Sequence, residues 1–272
     1  MDLAGKVAIV TGAAKPAAIG EVVARGLARE GADVVVADLF EAGFADVTRS
    51  VEALGRRCVC IRTDVADPRA VEAMVEQAVG AFGRVDVLVN GVGGSWGITP
   101  EDLTDPPPRR GFLGLTNCSD DDWRTIVGVN LAGAFYAARA AAPYLQRQGG
   151  CIVNISSTAA RQGVRPGSEG SSGPYAVAKA GIIGMTKQLA LELGPYGVRV
   201  NCVAPGIILS NRGQRMLGSL PEERRAALPR GIPLGRFGTV EEVAELIVGL
   251  CCDETSYVTG ATIDVNGGSY IA

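Results

Sequence analysis

Tyr175-Ala176-Val177-Ala178-Lys179 sets a phenol and an ammonium group four residues apart. On a helix that spacing puts both on one face. A tyrosine at its ordinary pKa, near 10, is a poor base at neutral pH. An ammonium beside it stabilises the phenolate and lowers that value, so the pair suits proton transfer. The bland alternative is two surface residues. Ser156-Ser157 follows an apolar, strand-like run and adds a hydroxyl that can polarise a carbonyl. The chain contains no histidine, which excludes Ser–His–Asp and Cys–His catalysis and His-ligated zinc. A general base must then be Asp, Glu, Lys, Tyr or Cys, and no metal constellation is visible.

A second cluster concerns phosphate. The first apolar run ends in Thr11-Gly12-Ala13-Ala14-Lys15-Pro16-Ala17-Ala18-Ile19-Gly20, and a helical pattern follows. A glycine-bearing turn between a strand and a helix lets backbone approach a pyrophosphate at the helix N-terminus. Glycines also end strands for no such reason. Asp38 closes the second run. A carboxylate there accepts hydrogen bonds from ribose hydroxyls and repels a 2′-phosphate, which favours NAD over NADP. Lys15 argues the other way, from inside a remodelled turn.

These residues need a scaffold that brings strand ends together. Residues 6–10, 33–38, 58–62, 85–90, 151–156, 198–203 and 261–265 read as strands, β-branched and almost continuously apolar. Strands covered by helices on both faces look like this. Residues 19–30, 42–54, 68–82, 121–148, 174–193 and 240–252 read as helices. Asp67-Pro68 supplies an N-cap and a first-turn proline. Val71, Met74, Val75, Ala78 and Val79 form one apolar face. The alternation predicts an α/β fold, a single doubly wound Rossmann-type parallel sheet with helices on both faces, over residues 1–272 as one domain. Two irregular loops, 93–119 and 161–173, are expanded, and long loops inside a compact domain are often functional.

Composition agrees. The 272 residues are 47% hydrophobic and 20% charged with a net charge of −3, which excludes disorder and gives no basic excess for nucleic acid. Seven cysteines without a C-x-x-C pair read as reduced thiols of an intracellular protein. The N-terminus is not a signal peptide, and no apolar run reaches membrane-spanning length. The expected location is the cytoplasm.

Taken together, the motifs resemble those of the short-chain dehydrogenase/reductase family over essentially the whole chain. Thr11-Gly12…Ile19-Gly20 resembles the family's glycine turn, and Asp64-Val65 its adenine-contacting pair. Asn90-Gly91-Val92-Gly93 resembles the segment after the fourth strand. Asn130 matches the helix asparagine, and Asn154-Ile155-Ser156-Ser157 the strand ending at the catalytic serine. Tyr175 and Lys179 match Tyr-x-x-x-Lys. Pro205-Gly206-Ile207-Ile208 matches the loop beside the nicotinamide, and Asp264-Val265-Asn266-Gly267-Gly268 the last strand and turn. There are departures. The glycine turn holds two extra residues and Ala18 replaces its middle glycine. The Asn90–Asn130 and Ser157–Tyr175 spacings are stretched, and Ser210 stands where threonine is frequent.

The resemblance implies hydride transfer between NAD and a secondary alcohol or its ketone. Tyr175 would move the hydroxyl proton, and Lys179 would assist it and bind the nicotinamide ribose. Ser157, with Ser156 as fallback, would hold the substrate oxygen, and Asn130 would anchor a water. Gly12, Ile19, Gly20, Asp38, Asp64, Val65, Asn90, Gly91, Pro205, Gly206, Ile208 and Ser210 would line the cofactor site with Tyr175 and Lys179. Residues 207–230 would form a substrate lid. Arg109, Arg110, Arg161, Arg165, Arg212 and Arg215 suit an anionic substrate. Trp96, Ile98, Phe112, Leu113, Met216 and Leu217 equally suit a cyclic, apolar alcohol. The rival readings are an NADPH-dependent 3-oxoacyl-type ketone reductase, a non-catalytic nucleotide sensor, and an epimerase or lyase with bound NAD. The resemblance also implies a homotetramer built on the long helices.

Overall fold

The computed structural model describes residues 2–95, 111–166, 171–218 and 220–272. Seven parallel strands form one sheet: β1 (Val7–Thr11), β2 (Asp33–Asp38), β3 (Cys58–Arg62), β4 (Val87–Asn90), β5 (Gly150–Ile155), β6 (Val198–Pro205) and β7 (Thr262–Val265). Their order across the sheet is β3-β2-β1-β4-β5-β6-β7. The chain winds outward from β1 in one direction and from β4 in the other. The strand order therefore reverses between β1 and β4, where the C-terminal strand ends leave a crevice.

Successive side chains of a strand face opposite ways, and both faces are covered. Val34 and Val36 join one core with Val23 of α1 (Ile19–Arg29), Val47 of α2 (Phe44–Glu52) and Ile247 of α10 (Val240–Cys251). Val35 and Ala37 join the other with Met74 of α3 (Pro68–Phe82), Ala137 of α5 (Gly133–Leu145) and Leu193 of α7 (Gly173–Leu193). This is the Rossmann-type architecture expected from the continuously apolar runs.

Local signals account for the helix limits. Asp67 accepts from the Arg69 amide at 2.9 Å, Pro68 opens α3, and Gly83 at φ 78° closes it. The expected long helix over 121–148 is interrupted. α4 (Asp120–Val127) passes through a π-helical turn, Gly128–Ala132, into α5. Gly133 there lies so close to Val65 that a Cβ would meet Val65 Cγ2 at 2.8 Å. Three short helices had no apolar periodicity to announce them: α6 (Ala159–Gln162), α8 (Asn211–Gly218) and α9 (Glu222–Ala227). Among the described residues no helix is long and apolar enough to cross a membrane.

Asp86, just ahead of β4, ties the middle of the sheet. Its carboxylate accepts from the Val7 amide at 2.9 Å and from Arg84 at 2.7 and 2.6 Å, and it is 2% exposed. Asp86→Ala leaves the Val7 N–H buried without an acceptor. We expect a stability loss of about 1–3 kcal/mol, read as a lower urea midpoint at unchanged m-value.

Candidate active site

The residues singled out by sequence converge on the crevice at the C-terminal ends of β1, β2, β4, β5 and β6. At β1 the chain folds back tightly. Gly12 has φ 74°, and a Cβ on it would meet Val92 N at 2.9 Å. A Cβ on Gly20 would lie 2.3 Å from the Gly12 carbonyl oxygen. Only glycine permits this cradle. α1 starts at Ile19 with no side-chain cap on its N-terminus, which leaves its amides available to an anion. In the inserted part of the turn, Ala17 adopts φ 53°. The Lys15 ammonium lies 5.5 Å from the Phe40 ring centre.

Asp38 is buried at the end of β2, and both of its carboxylate oxygens are engaged. Oδ2 accepts from the Ala14 amide at 2.9 Å and Oδ1 from the Phe40 amide at 3.0 Å. The carboxylate thus fixes the glycine turn to β2, and each oxygen keeps a further lone pair. Beside it a cleft is lined by Asp38, Leu39, Thr63, Asp64, Val65, Val92 and Val129. Asp64 Oδ1 accepts from the Ala66 amide at 2.9 Å, and Val65 is buried. A glycine cradle, an uncapped helix start, a carboxylate and an apolar slot together fit a dinucleotide.

Across the crevice, buried polar groups position α7. Asn90 donates to Asn154 Oδ1 at 2.8 Å, and Asn154 donates to Thr186 Oγ1 at 2.9 Å. Gly91 packs on β1, its amide 3.1 Å from Thr11 Oγ1. Ser172 caps α7 by accepting from the Tyr175 amide at 3.2 Å, and its hydroxyl donates to the Ser95 carbonyl. The two expanded loops meet at this cap: Gly173 N–H donates to the Leu113 carbonyl at 2.8 Å and Leu113 N–H to the Ser171 carbonyl at 3.2 Å.

Lys179 is 3% exposed, donates to the Ile155 carbonyl at 2.8 Å, and holds its ammonium 5.7 Å from the Tyr175 ring centre. Such burial is tolerable for a charge only with partners around it. Tyr175 is half-buried. The two serines differ in their partners. Ser156 is 2% exposed and donates to the Lys179 carbonyl at 2.8 Å, which pins α7 to β5. Ser157 is half-buried, and its hydroxyl oxygen accepts from the Ala159 amide at 3.1 Å, which leaves its proton to donate. Asn130, in the π turn, donates to the carbonyls of Gly94 (2.8 Å) and Ile126 (2.9 Å) and accepts from the Gly94 amide (2.9 Å). Its carboxamide is therefore engaged with the loop after β4. Sequence reasoning missed this clamp on Gly93-Gly94, and only the small residues after Asn90 hinted at it.

At β6, Pro205 ends the strand and the Gly206 amide donates to the Val265 carbonyl at 2.9 Å. Ile208 is buried and bridges to Gly238. Ser210 Oγ accepts from the Gly213 amide at 3.1 Å at the start of α8. Asn211 donates to the Pro16 carbonyl at 2.5 Å, so α8 touches the enlarged glycine turn. Nothing in the sequence announced this contact.

Arg161 departs from the expectation of a substrate-binding cation. It pairs with Asp264 at 3.2 Å and lies 5.8 Å from the Tyr270 ring centre, joining α6 to β7. Arg165 is exposed, and Leu217 is buried. Trp96, Ile98, Arg109, Arg110 and the Arg212 side chain lie outside what is described. Among the described residues no group of three His, Cys, Asp or Glu could hold a metal ion.

The geometry has a counterpart in known proteins. Residues 12–270 match the family model described as Enoyl-(Acyl carrier protein) reductase. A short-chain type dehydrogenase/reductase from Mycobacterium marinum superposes with a TM-score of 0.85 at 30% identity, covering 100% of this chain and 98% of that one. The chain belongs to the short-chain dehydrogenase/reductase family. Its curated relatives include the 3-oxoacyl-[acyl-carrier-protein] reductases FabG of Thermotoga maritima, 39% identical, and of Escherichia coli, 34% identical, each covering 100% of both chains. A solved structure titled a putative short-chain alcohol dehydrogenase from Sinorhizobium meliloti is 32% identical with a TM-score of 0.84, covering 98% of this chain and 97% of that one. The protein is an oxidoreductase of this family, which works with a nicotinamide cofactor.

Proposed function

We propose that the protein interconverts a ketone and a secondary alcohol, with a 3-oxoacyl thioester as the ketone and NAD(H) as the cofactor. The observation that carries this is the arrangement of Lys179, buried between the Ile155 carbonyl and the Tyr175 ring, beside Ser157 at the end of β5. The substrate class follows the names of the curated relatives, which match over the full chain. NAD(H) follows the buried Asp38 carboxylate, which the backbone amides of Ala14 and Phe40 hold in place.

When bound, the nicotinamide supplies or accepts the hydride. Gly12, Ile19, Gly20, Asp38, Asp64, Val65, Asn90, Gly91, Pro205, Gly206, Ile208 and Ser210 would hold the dinucleotide, with Tyr175 and Lys179 at its reactive end. Ser157 donates to the substrate oxygen. Tyr175 gives that oxygen a proton in reduction and takes it back in oxidation. Lys179 stabilises the phenolate by Coulomb attraction. Asn130 keeps the loop at Gly93-Gly94 against the lysine. The homotetramer reading also stands here: Trp123, Phe135 and Val177 are large apolar side chains exposed on α4, α5 and α7.

The 32% identity to a structure titled a putative short-chain alcohol dehydrogenase supports a second reading, NAD-dependent oxidation of a small secondary alcohol. Initial rates separate the two. An acetoacetyl thioester with NADH or NADPH is compared with a panel of secondary alcohols with NAD or NADP. Turnover of the thioester supports the first, and turnover of alcohols alone replaces it with the second. In either case Asp38→Ala is expected to raise the NADH KM about ten- to hundredfold, the value of a charged hydrogen bond to a hydroxyl. The NADPH KM should rise less, so that the ratio of the two shifts toward NADPH. Because loss of the Ala14 and Phe40 contacts weakens both cofactors alike, an unchanged NADH/NADPH ratio would remove Asp38 from the selection.

A further inference from the structure

Cys58 and Cys60 stand two apart on β3, so their side chains leave the same face of the sheet. β3 is an edge strand, and α2 crosses that face. Thr48 of α2 brings Oγ1 to 3.3 Å from Cys60 Sγ, and the Phe44 carbonyl accepts from the same sulfur at 3.8 Å. Both thiols are half-buried. The neighbouring Cys58 thiol, aided by the Thr48 hydroxyl against the cost of burial, brings Cys60 down to about 7. The same neighbour and burial push Cys58 well up.

No other pair has this character among the described thiols. Cys151, Cys202, Cys251 and Cys252 are buried. Burial pushes Cys202 and Cys252 up to about 11, and the neighbouring Cys151 thiol with burial raises Cys251 as well. Cys118 is raised by partial burial and by the nearby Asp122.

A direct disulfide fits this pair poorly. Alternate residues of a strand are about 6.6 Å apart with parallel side chains, whereas a disulfide brings the Cβ atoms to about 3.8 Å. One large, soft atom inserted between the sulfurs spans the gap. We propose that Cys58 and Cys60 form a dithiol site for a soft, thiophilic centre, namely a monosubstituted trivalent arsenical. The step is an exchange without redox change. The As=O bond and two S–H bonds break, two As–S bonds form, and the oxygen leaves as water with both thiol protons.

The probe is phenylarsine oxide, one equivalent at pH 7, read by intact mass and peptide mapping. The expected product is a 1:1 adduct on the one peptide holding both cysteines, resistant to excess glutathione and removed by 2,3-dimercaptopropanol. Cys58→Ala and Cys60→Ala should each lose the glutathione-resistant adduct, while Cys118→Ala keeps it. An adduct mapping elsewhere, one that persists in either single variant, or none on the wild type overturns the site. Mapping on the wild-type chain locates the adduct even where a variant folds badly.

Discussion

Tyr175→Phe lowers turnover by roughly 10²–10⁴-fold, the usual worth of general acid–base help, and leaves dinucleotide affinity and melting temperature near the wild type. The bonds that set this stretch of α7 are the Ser172 cap on the Tyr175 amide, the Ser156 bond to the Lys179 carbonyl, and the Lys179 bond to Ile155. None of them uses the phenolic oxygen. Removing that oxygen deletes the proton donor and leaves the helix where it is. The apolar ring that remains still occupies the space under the lysine. Binding is followed by nucleotide fluorescence, and turnover by absorbance of the reduced nicotinamide. Turnover within tenfold of the wild type would transfer the proton to another group and end the role of the pair.

Sequence reached the strands because their chemistry is repetitive. A parallel strand buried on both faces must be apolar at nearly every position, so β2 and β3 were readable to the residue and the others to within two. The Tyr175–Lys179 pair was readable because Tyr and Lys at helical spacing need no tertiary information. The choice of serine did need it. Ser156 and Ser157 are chemically identical, and only the Lys179 carbonyl above Ser156 separates the pinning hydroxyl from the available one. Arg161 looked like a cation for a substrate because its partner, Asp264, lies far along the chain. The helices after β6 were invisible for a related reason. α8 and α9 are polar and short, and sequence does not forecast contacts such as the one from Asn211 to Pro16.

Gly93→Ala tests whether the loop after β4 serves the site or only the fold. A Cβ at this position would lie 2.7 Å from Asn130 Oδ1 and 2.8 Å from Lys179 Nζ. Both contacts are closer than a carbon can stand, and both fall on side-chain ends that can move. At Gly91 the same change would strike the Thr11 carbonyl at 2.6 Å, and at Gly20 the Gly12 carbonyl at 2.3 Å, so backbone would have to give way. At Gly93 the adjustment is made by the lysine and the asparagine. The lysine then leaves its place over Tyr175 and its bond to Ile155, and Asn130 loses its grip on Gly94. A displacement of about 1 Å in a catalytic group costs on the order of 10²-fold in rate. The expected signature is therefore a kcat about a hundredfold lower, together with the loss of about 1–3 kcal/mol of stability that the displaced buried bonds cost. Gly91→Ala should instead lower stability first. If Gly93→Ala keeps its kcat, the lysine has room that the present geometry denies it, and its close placement beside the phenol is not what drives the reaction.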